Sequence, residues 1–159
     1  MDSSGADLDP ADAAPSAYTG FLFRRAQQAH VAAWQREVSS TISSVQFGAL
    51  SVLSRMPGSS QQDLCDELDL DRSTIADLVH RLERRGLIER RRDDADRRRN
   101  RLVLTGSGDD AFTELRPRVD EVERTLTNAL SPDESRQLRA LLTKVLAAAK
   151  DQGDASPPE

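Results

Sequence analysis

The chain has 159 residues, of which 37% are hydrophobic and 31% charged, and its net charge at pH 7 is −5. That length sets one domain as the default, with enough chain to bury a core, and no apolar run approaches the roughly 20 residues of a membrane span. The single cysteine, Cys65, excludes an internal disulfide and a cysteine-based zinc cluster. Together with only two histidines and no phosphate loop or nucleophile motif, this points away from an enzyme, a metal site or a cofactor.

Residues 1–16 are acidic and rich in Ala, Asp, Ser and Pro, and they lack the basic and apolar regions of a secretion signal. They read as a disordered tail, as do residues 151–159, and the expected location is the cytoplasm. Residues 18–39 contain no Pro and only Gly20, so they predict a long helix. Phe23, His30 and Trp34 share one of its faces, because four and seven residues are close to whole turns. Ser43 or Ser44 caps a second helix to about Arg55, with Val45, Leu50, Val52 and Leu53 as apolar positions. The stretch Met56-Pro57-Gly58-Ser59 breaks it.

Ser60 is placed to cap a short helix over residues 61–68, and Asp69 and Leu70 form a turn. Asp71 or Ser73 then caps a third helix to Arg85, which Gly86 closes. Leu64, Leu68, Leu70, Ile75, Leu78, Val79 and Leu82 supply a shared core, leaving Arg72, Ser73, Thr74, Asp77 and Arg81 pointing outward. Cys65 lies beside Leu64 and Leu68. It reads as a small, partly buried helix residue or, alternatively, as the thiol of a redox-responsive regulator.

Two short strand-like runs follow, residues 87–91 and 99–104, around the polar loop Arg92-Asp93-Asp94-Ala95-Asp96-Arg97-Arg98. A further helix starts at Thr105 or Ser107 and runs to about Leu130, with Pro117 interrupting it and predicting a kink or a weakened turn. Ser131-Pro132-Asp133-Glu134 starts the last helix, which runs to about Lys150 with a stripe of Leu138, Leu141, Leu142, Val145 and Leu146. The terminal helices carry more apolar surface than the middle of the chain needs, so they predict either a two-fold dimer or a larger intramolecular core.

Two short helices with a tight turn and an arginine-rich hairpin make a DNA-reading device, a winged helix-turn-helix. The acidic total is compatible with this because the charge is unevenly spread. Residues 72–101 hold 11 Arg against 6 Asp and Glu, while the rest holds 11 basic against 21 acidic residues. In such a device Arg72, Ser73, Thr74 and Asp77 meet base edges in the major groove, with Arg81 further along the same helix. Arg pairs with guanine, and Ser or Thr serves base or phosphate. Gln61 and Gln62, with the backbone N–H groups beside them, hold a phosphate. Arg97 and Arg98 reach a narrow minor groove, with Asp96 aiming Arg98. A winged helix that binds protein rather than DNA is the competing reading, which the dense arginines disfavour.

The run LERRGLIERRRDDADRRRNRLVLT, with its helix end, glycine, strand, D-x-R loop and second strand, resembles the MarR family of bacterial winged-helix regulators. The resemblance implies a mainly α fold with a small β-hairpin wing. It further implies an obligate homodimer whose terminal segments, 17–42 and 106–150, form the dimerisation domain, with segment 43–105 binding a palindromic operator. In that family the Asp and Arg of the D-x-R element steady the wing and reach the minor groove; here they match Asp96 and Arg98. FLFRRAQQAHVAAWQ is in turn similar to the first helix of MarR-type repressors that control aromatic-acid catabolism. In those, an arginine and a histidine six residues on bind the ligand's carboxylate or phenol, matching Arg24 and His30, and Trp34 is available to stack a ring. The implied effector is an aromatic acid or its CoA thioester.

Overall fold

The computed structural model describes residues 14–92 and 100–154, and residues 93–99 lie outside that description. After a single 3-10 turn at Pro15–Ala17 come α1 (Thr19–Glu37), α2 (Ser44–Arg55), α3 (Gln61–Leu68) and α4 (Arg72–Arg84). Then follow β1 (Ile88–Arg92), β2 (Asn100–Leu104), α5 (Gly106–Thr127) and α6 (Pro132–Asp154). The chain divides into two compact units, one ending at Val122 and the other beginning at Glu123.

Local chemistry places most boundaries. Ser43 caps α2 reciprocally with Gln46, and Ser60 caps α3 reciprocally with Asp63. In each the serine accepts the third N–H of the helix while that residue's side chain accepts the cap's own N–H. Asp69 adopts the left-handed conformation, φ 52°, that lets the chain turn from α3 into α4. Replacing Ser60 by Ala is expected to remove about 1 kcal/mol, the usual value of such a cap; chemical denaturation of the two proteins measures it.

The core of the first unit gathers Leu50, Leu53, Leu64, Ile75, Val79, Leu82 and Leu102, each almost wholly enclosed. α4 turns its apolar stripe Ile75, Leu78, Val79 and Leu82 inward and leaves the opposite face in solvent. The strands pair antiparallel from Ile88 opposite Leu104 to Arg92 opposite Asn100. Gly58 N–H donates to the Leu102 carbonyl at 2.9 Å and Leu102 N–H to that of Ser59 at 2.8 Å, stitching the hairpin to the α2–α3 loop.

Several expectations shift. Leu87 is not part of β1. Its N–H is held by the Leu82 carbonyl and its own carbonyl by Thr105 N–H, which keeps it in the turn after α4. Val45 is exposed rather than packed, and Leu68 and Leu70 are only half-buried. α5 runs continuously through Pro117, and Thr105 rather than Ser107 caps it, its hydroxyl accepting Gly108 N–H at 3.1 Å. α6 continues to Asp154, four residues past the predicted end, because the run Ala147-Ala148-Ala149-Lys150 favours propagation. Its start is the predicted one, with Glu134 accepting Ser131 N–H at 2.8 Å.

Candidate nucleic-acid interface

Asp71 organises the start of α4. Its Oδ1 accepts Thr74 N–H at 2.9 Å and the Ser73 hydroxyl at 2.5 Å, and its Oδ2 accepts the Thr74 hydroxyl at 2.6 Å. These bonds, the side-chain hydroxyls first, hold the Asp71 carboxyl well below its ordinary value of 3.8. The folded state therefore favours the carboxylate, and what it contributes to the helix start is present above that ordinary value and fades as pH falls below it. Arg72, Ser73, Thr74, Asp77 and Arg81 are all exposed, on the face away from the core.

Gln61 and Gln62 already have protein partners. The Gln61 side-chain carbonyl accepts from Arg90 Nη1 at 2.9 Å, and Arg90 Nε reaches Glu83 at 3.0 Å. One arginine on β1 thus joins the start of α3 to α4. Gln62 Nε2 donates to Asp66 at 3.0 Å. A cleft of about 620 Å³ opens between the α3 N-terminus and the Asn100 end of the hairpin strands, lined by Gln61, Gln62, Arg90, Asn100 and Arg101 among others. Arg90 and Arg101 were not singled out in the sequence. The only signal for them was the arginine density of the strands, which says nothing about which arginine faces α3.

On the hairpin, Arg91 stands directly opposite Arg101. Like charges in that position are unfavourable for a sheet. Glu89 pairs with Arg91 at 2.6 Å, and Arg101 donates to the Gly58 carbonyl at 3.2 Å. Asp96, Arg97 and Arg98 fall outside the described residues; Arg92 and Asn100, the described residues on either side of that segment, pair with each other. At the far end of α4, Arg85 donates to the Thr41 carbonyl at 2.6 Å and ties that helix to the α1–α2 loop.

Of the three residues singled out on α1, the structure brings two together. The rings of His30 and Trp34 lie 5.9 Å apart, whereas the Arg24 guanidinium lies over Phe21 at 5.1 Å. Trp34 is 5% exposed and its indole N–H is given to the Ile42 carbonyl at 2.7 Å. The aromatic chain continues from Trp34 to Phe47 at 5.8 Å and from Phe47 to Phe112, stacked at 5.3 Å. Two cavities flank it. One of about 320 Å³ runs from Trp34 and Ile42 past Thr41 to Arg81, and one of about 350 Å³ is lined by Phe47, Phe112, Arg116 and Val119 among others. Cys65 is buried in the α3 face of the core. Among the described residues no helix is long and apolar enough to cross a membrane, and no three His, Cys, Asp or Glu side chains are grouped to hold a metal ion.

A short helix bolted to the core by one face, with a polar tip in solvent and a basic hairpin beside it, is built to meet a grooved polyanion. This is the arrangement of a winged helix-turn-helix transcriptional regulator. Residues 40–99 match the MarR family. Transcriptional regulator HosA of Escherichia coli O111:H- is 30% identical over 125 residues, spanning 79% of this chain and 92% of its own. The PcaV regulator of Streptomyces coelicolor, solved with its natural ligand, is 36% identical with a TM-score of 0.82 over 86% of this chain and 97% of that one. BpsR of Bordetella bronchiseptica, whose DNA binding is regulated by 6-hydroxynicotinic acid, is 30% identical with a TM-score of 0.77 over 82% and 94%. The chain belongs to the MarR family of DNA-binding transcriptional regulators and is not an enzyme.

Proposed function

We propose that this protein is a cytoplasmic, homodimeric repressor that binds a palindromic operator and is released by a small aromatic acid, controlling genes for the breakdown of aromatic compounds. The observation that carries the DNA half is the exposed row Arg72, Ser73, Thr74, Asp77 and Arg81 on a helix whose other face is locked into the core. Around it, Gln61 and Gln62 with Arg90 form the phosphate-facing cleft, and Asp96, Arg97 and Arg98 supply the wing tip. The apolar residues left in solvent support a dimer built from segments 17–42 and 106–150 about the DNA-binding segment 43–105. Leu22 and Phe23 on α1 and Leu141 and Leu146 on α6 are all exposed.

The ligand half rests on the aromatic chain His30–Trp34–Phe47–Phe112 and the cavities beside it. Their volumes sit at the small end of ligand pockets, which suits a single-ring acid better than a whole CoA thioester. BpsR, whose DNA binding is regulated by a hydroxylated ring acid, supports the same class of effector, and PcaV, solved with its natural ligand, supports a ligand-responsive regulator. Arg24 and His30 are the proposed partners of the carboxylate and the ring hydroxyl, with Trp34 lining the site. Neither Arg24 nor His30 lines either cavity and Arg24 lies over Phe21, so this part of the reading rests on the resemblance of the first helix.

A mobility-shift titration with DNA from immediately upstream of the protein's own gene tests the first half. Arg98→Ala is expected to weaken binding at least tenfold at fixed salt; wild-type affinity in that variant removes the wing from the reading. For the second half, a panel of hydroxylated benzoates, cinnamates and their CoA thioesters is scored for thermal stabilisation and for DNA release. If every compound leaves both unchanged, the aromatic effector is wrong and the regulator stands.

A further inference from the structure

We infer that Asp71 sets the hydrogen-bond polarity of Ser73 and Thr74, so that both hydroxyls meet DNA as acceptors and read the exocyclic amino groups of adenine or cytosine. The inference rests on the reading of α4 as the helix that enters the major groove.

A serine or threonine hydroxyl has one hydrogen to give and two lone pairs to offer, and it normally rotates to suit its partner. Here the rotation is decided. An ionised carboxylate is an acceptor only, so the Ser73–Asp71 contact at 2.5 Å and the Thr74–Asp71 contact at 2.6 Å have the hydroxyls as donors. Both distances fall in the short range of charge-assisted O–H···O⁻ bonds, roughly twice as strong as neutral ones. The low proton affinity of Asp71 keeps it in the acceptor state. What remains on Ser73 Oγ and Thr74 Oγ1 is lone pairs, and both residues are exposed.

The major groove offers donors only at adenine N6 and cytosine N4; guanine N7 and O6, adenine N7 and thymine O4 are acceptors. Phosphate oxygens are acceptors as well. A hydroxyl whose hydrogen is committed to Asp71 is therefore mismatched to guanine, thymine and phosphate, and matched to the amino-bearing base of either pair. Since every base pair carries one amino group in the major groove, the choice made is of strand: adenine or cytosine on the contacted strand, not thymine or guanine. Arg72, beside them, has donors only. The tip of α4 therefore carries opposite polarities in adjacent residues, a donor fork next to two acceptors.

Selection from a randomised operator library by the full-length protein tests this. Wild type is expected to enrich particular base pairs at the positions whose preference disappears in Ser73→Ala and Thr74→Val, and at each of them to lose roughly tenfold in affinity when the exocyclic amino group of the selected adenine or cytosine is replaced by hydrogen in a synthetic operator. Asp71→Asn keeps a good helix cap but brings an N–H₂ that donates to one hydroxyl and frees its hydrogen. It is expected to fold with an unchanged melting temperature to within a few degrees and to admit guanine or thymine in place of the contacted adenine or cytosine at one of those positions. Affinity unchanged by removal of those amino groups overturns the inference. So does the wild-type preference persisting in Asp71→Asn, or a selection unchanged by Ser73→Ala and Thr74→Val. A wild-type protein that enriches no sequence at all overturns the DNA-reading role of α4 together with it.

Discussion

Trp34→Ala is expected to cost about 3–5 kcal/mol of folding stability, the range for deleting a large buried aromatic. Trp34 is 5% exposed, contacts the rings of His30 and Phe47, and spends its indole N–H on the Ile42 carbonyl. The loss has two separable parts. One is the buried apolar volume; the other is the Ile42 carbonyl left without its donor, about 1–3 kcal/mol for a buried group. Trp34→Phe keeps most of the first and removes the second, so it should fall between wild type and Trp34→Ala. Denaturant unfolding at one protein concentration measures all three, with unchanged slopes showing that only stability moved. A Trp34→Ala protein within 1 kcal/mol of wild type would contradict a core role for this residue. The same variant separates structure from ligand sensing, because a residue needed only for the effector would lose the ligand-induced thermal shift and leave the ligand-free melting temperature alone.

Gly108→Ala is expected to be comparably damaging, about 3 kcal/mol or more, at the upper end of overpacking. A Cβ there would stand 1.9 Å from the Leu87 carbonyl oxygen and 2.9 Å from its carbon. That carbonyl cannot swing aside freely, because it accepts Thr105 N–H at 3.1 Å. Gly108 also donates to the Thr105 hydroxyl, which itself donates to the Gly86 carbonyl at 2.5 Å. The first turn of α5 and the root of the hairpin are thus in backbone contact, and one methyl group forces them apart. Gly86 is the control. It has φ +68°, but a Cβ there meets nothing within 4 Å, so Gly86→Ala carries only the left-handed penalty of about 1–2 kcal/mol. Denaturation of both variants should rank Gly108→Ala as the worse; the reverse order would show that the Gly108 contact is not tight. Operator affinity should also fall in refolded Gly108→Ala, since the hairpin's anchor has moved.

The two glycines show how far a sequence reaches. Gly86 was legible as a helix stop because its role is set by the residues on either side, whereas Gly108 looked like any glycine near a helix start. Its constraint comes from Leu87, 21 positions earlier. The caps Ser60 and Ser131 were legible for the same reason as Gly86, each being completed within three residues, and Ser43 and Asp71 were each one of two candidates between which the structure chose. The α4 face divided as its periodicity required, Ile75, Leu78, Val79 and Leu82 inward and Arg72 to Arg81 outward. By contrast the strand arginines were visible only as a crowd. That Arg90 alone bridges Gln61 and Glu83 depends on the register of the hairpin against α3.

The sequence by itself determined the order of the helices and the basic segment on an acidic chain, because those follow from periodicity, short-range hydrogen bonding and local charge, and its hairpin motif carried the resemblance to a DNA-binding family. Only the tertiary structure decided that Trp34 packs on Phe47 and gives its indole N–H to the Ile42 carbonyl, that Phe47 stacks on Phe112, and that Arg90 joins Gln61 to Glu83. Those facts depend on which side chains packing and rotamer choice bring within 3 to 6 Å of one another, and no spacing along the chain encodes that distance.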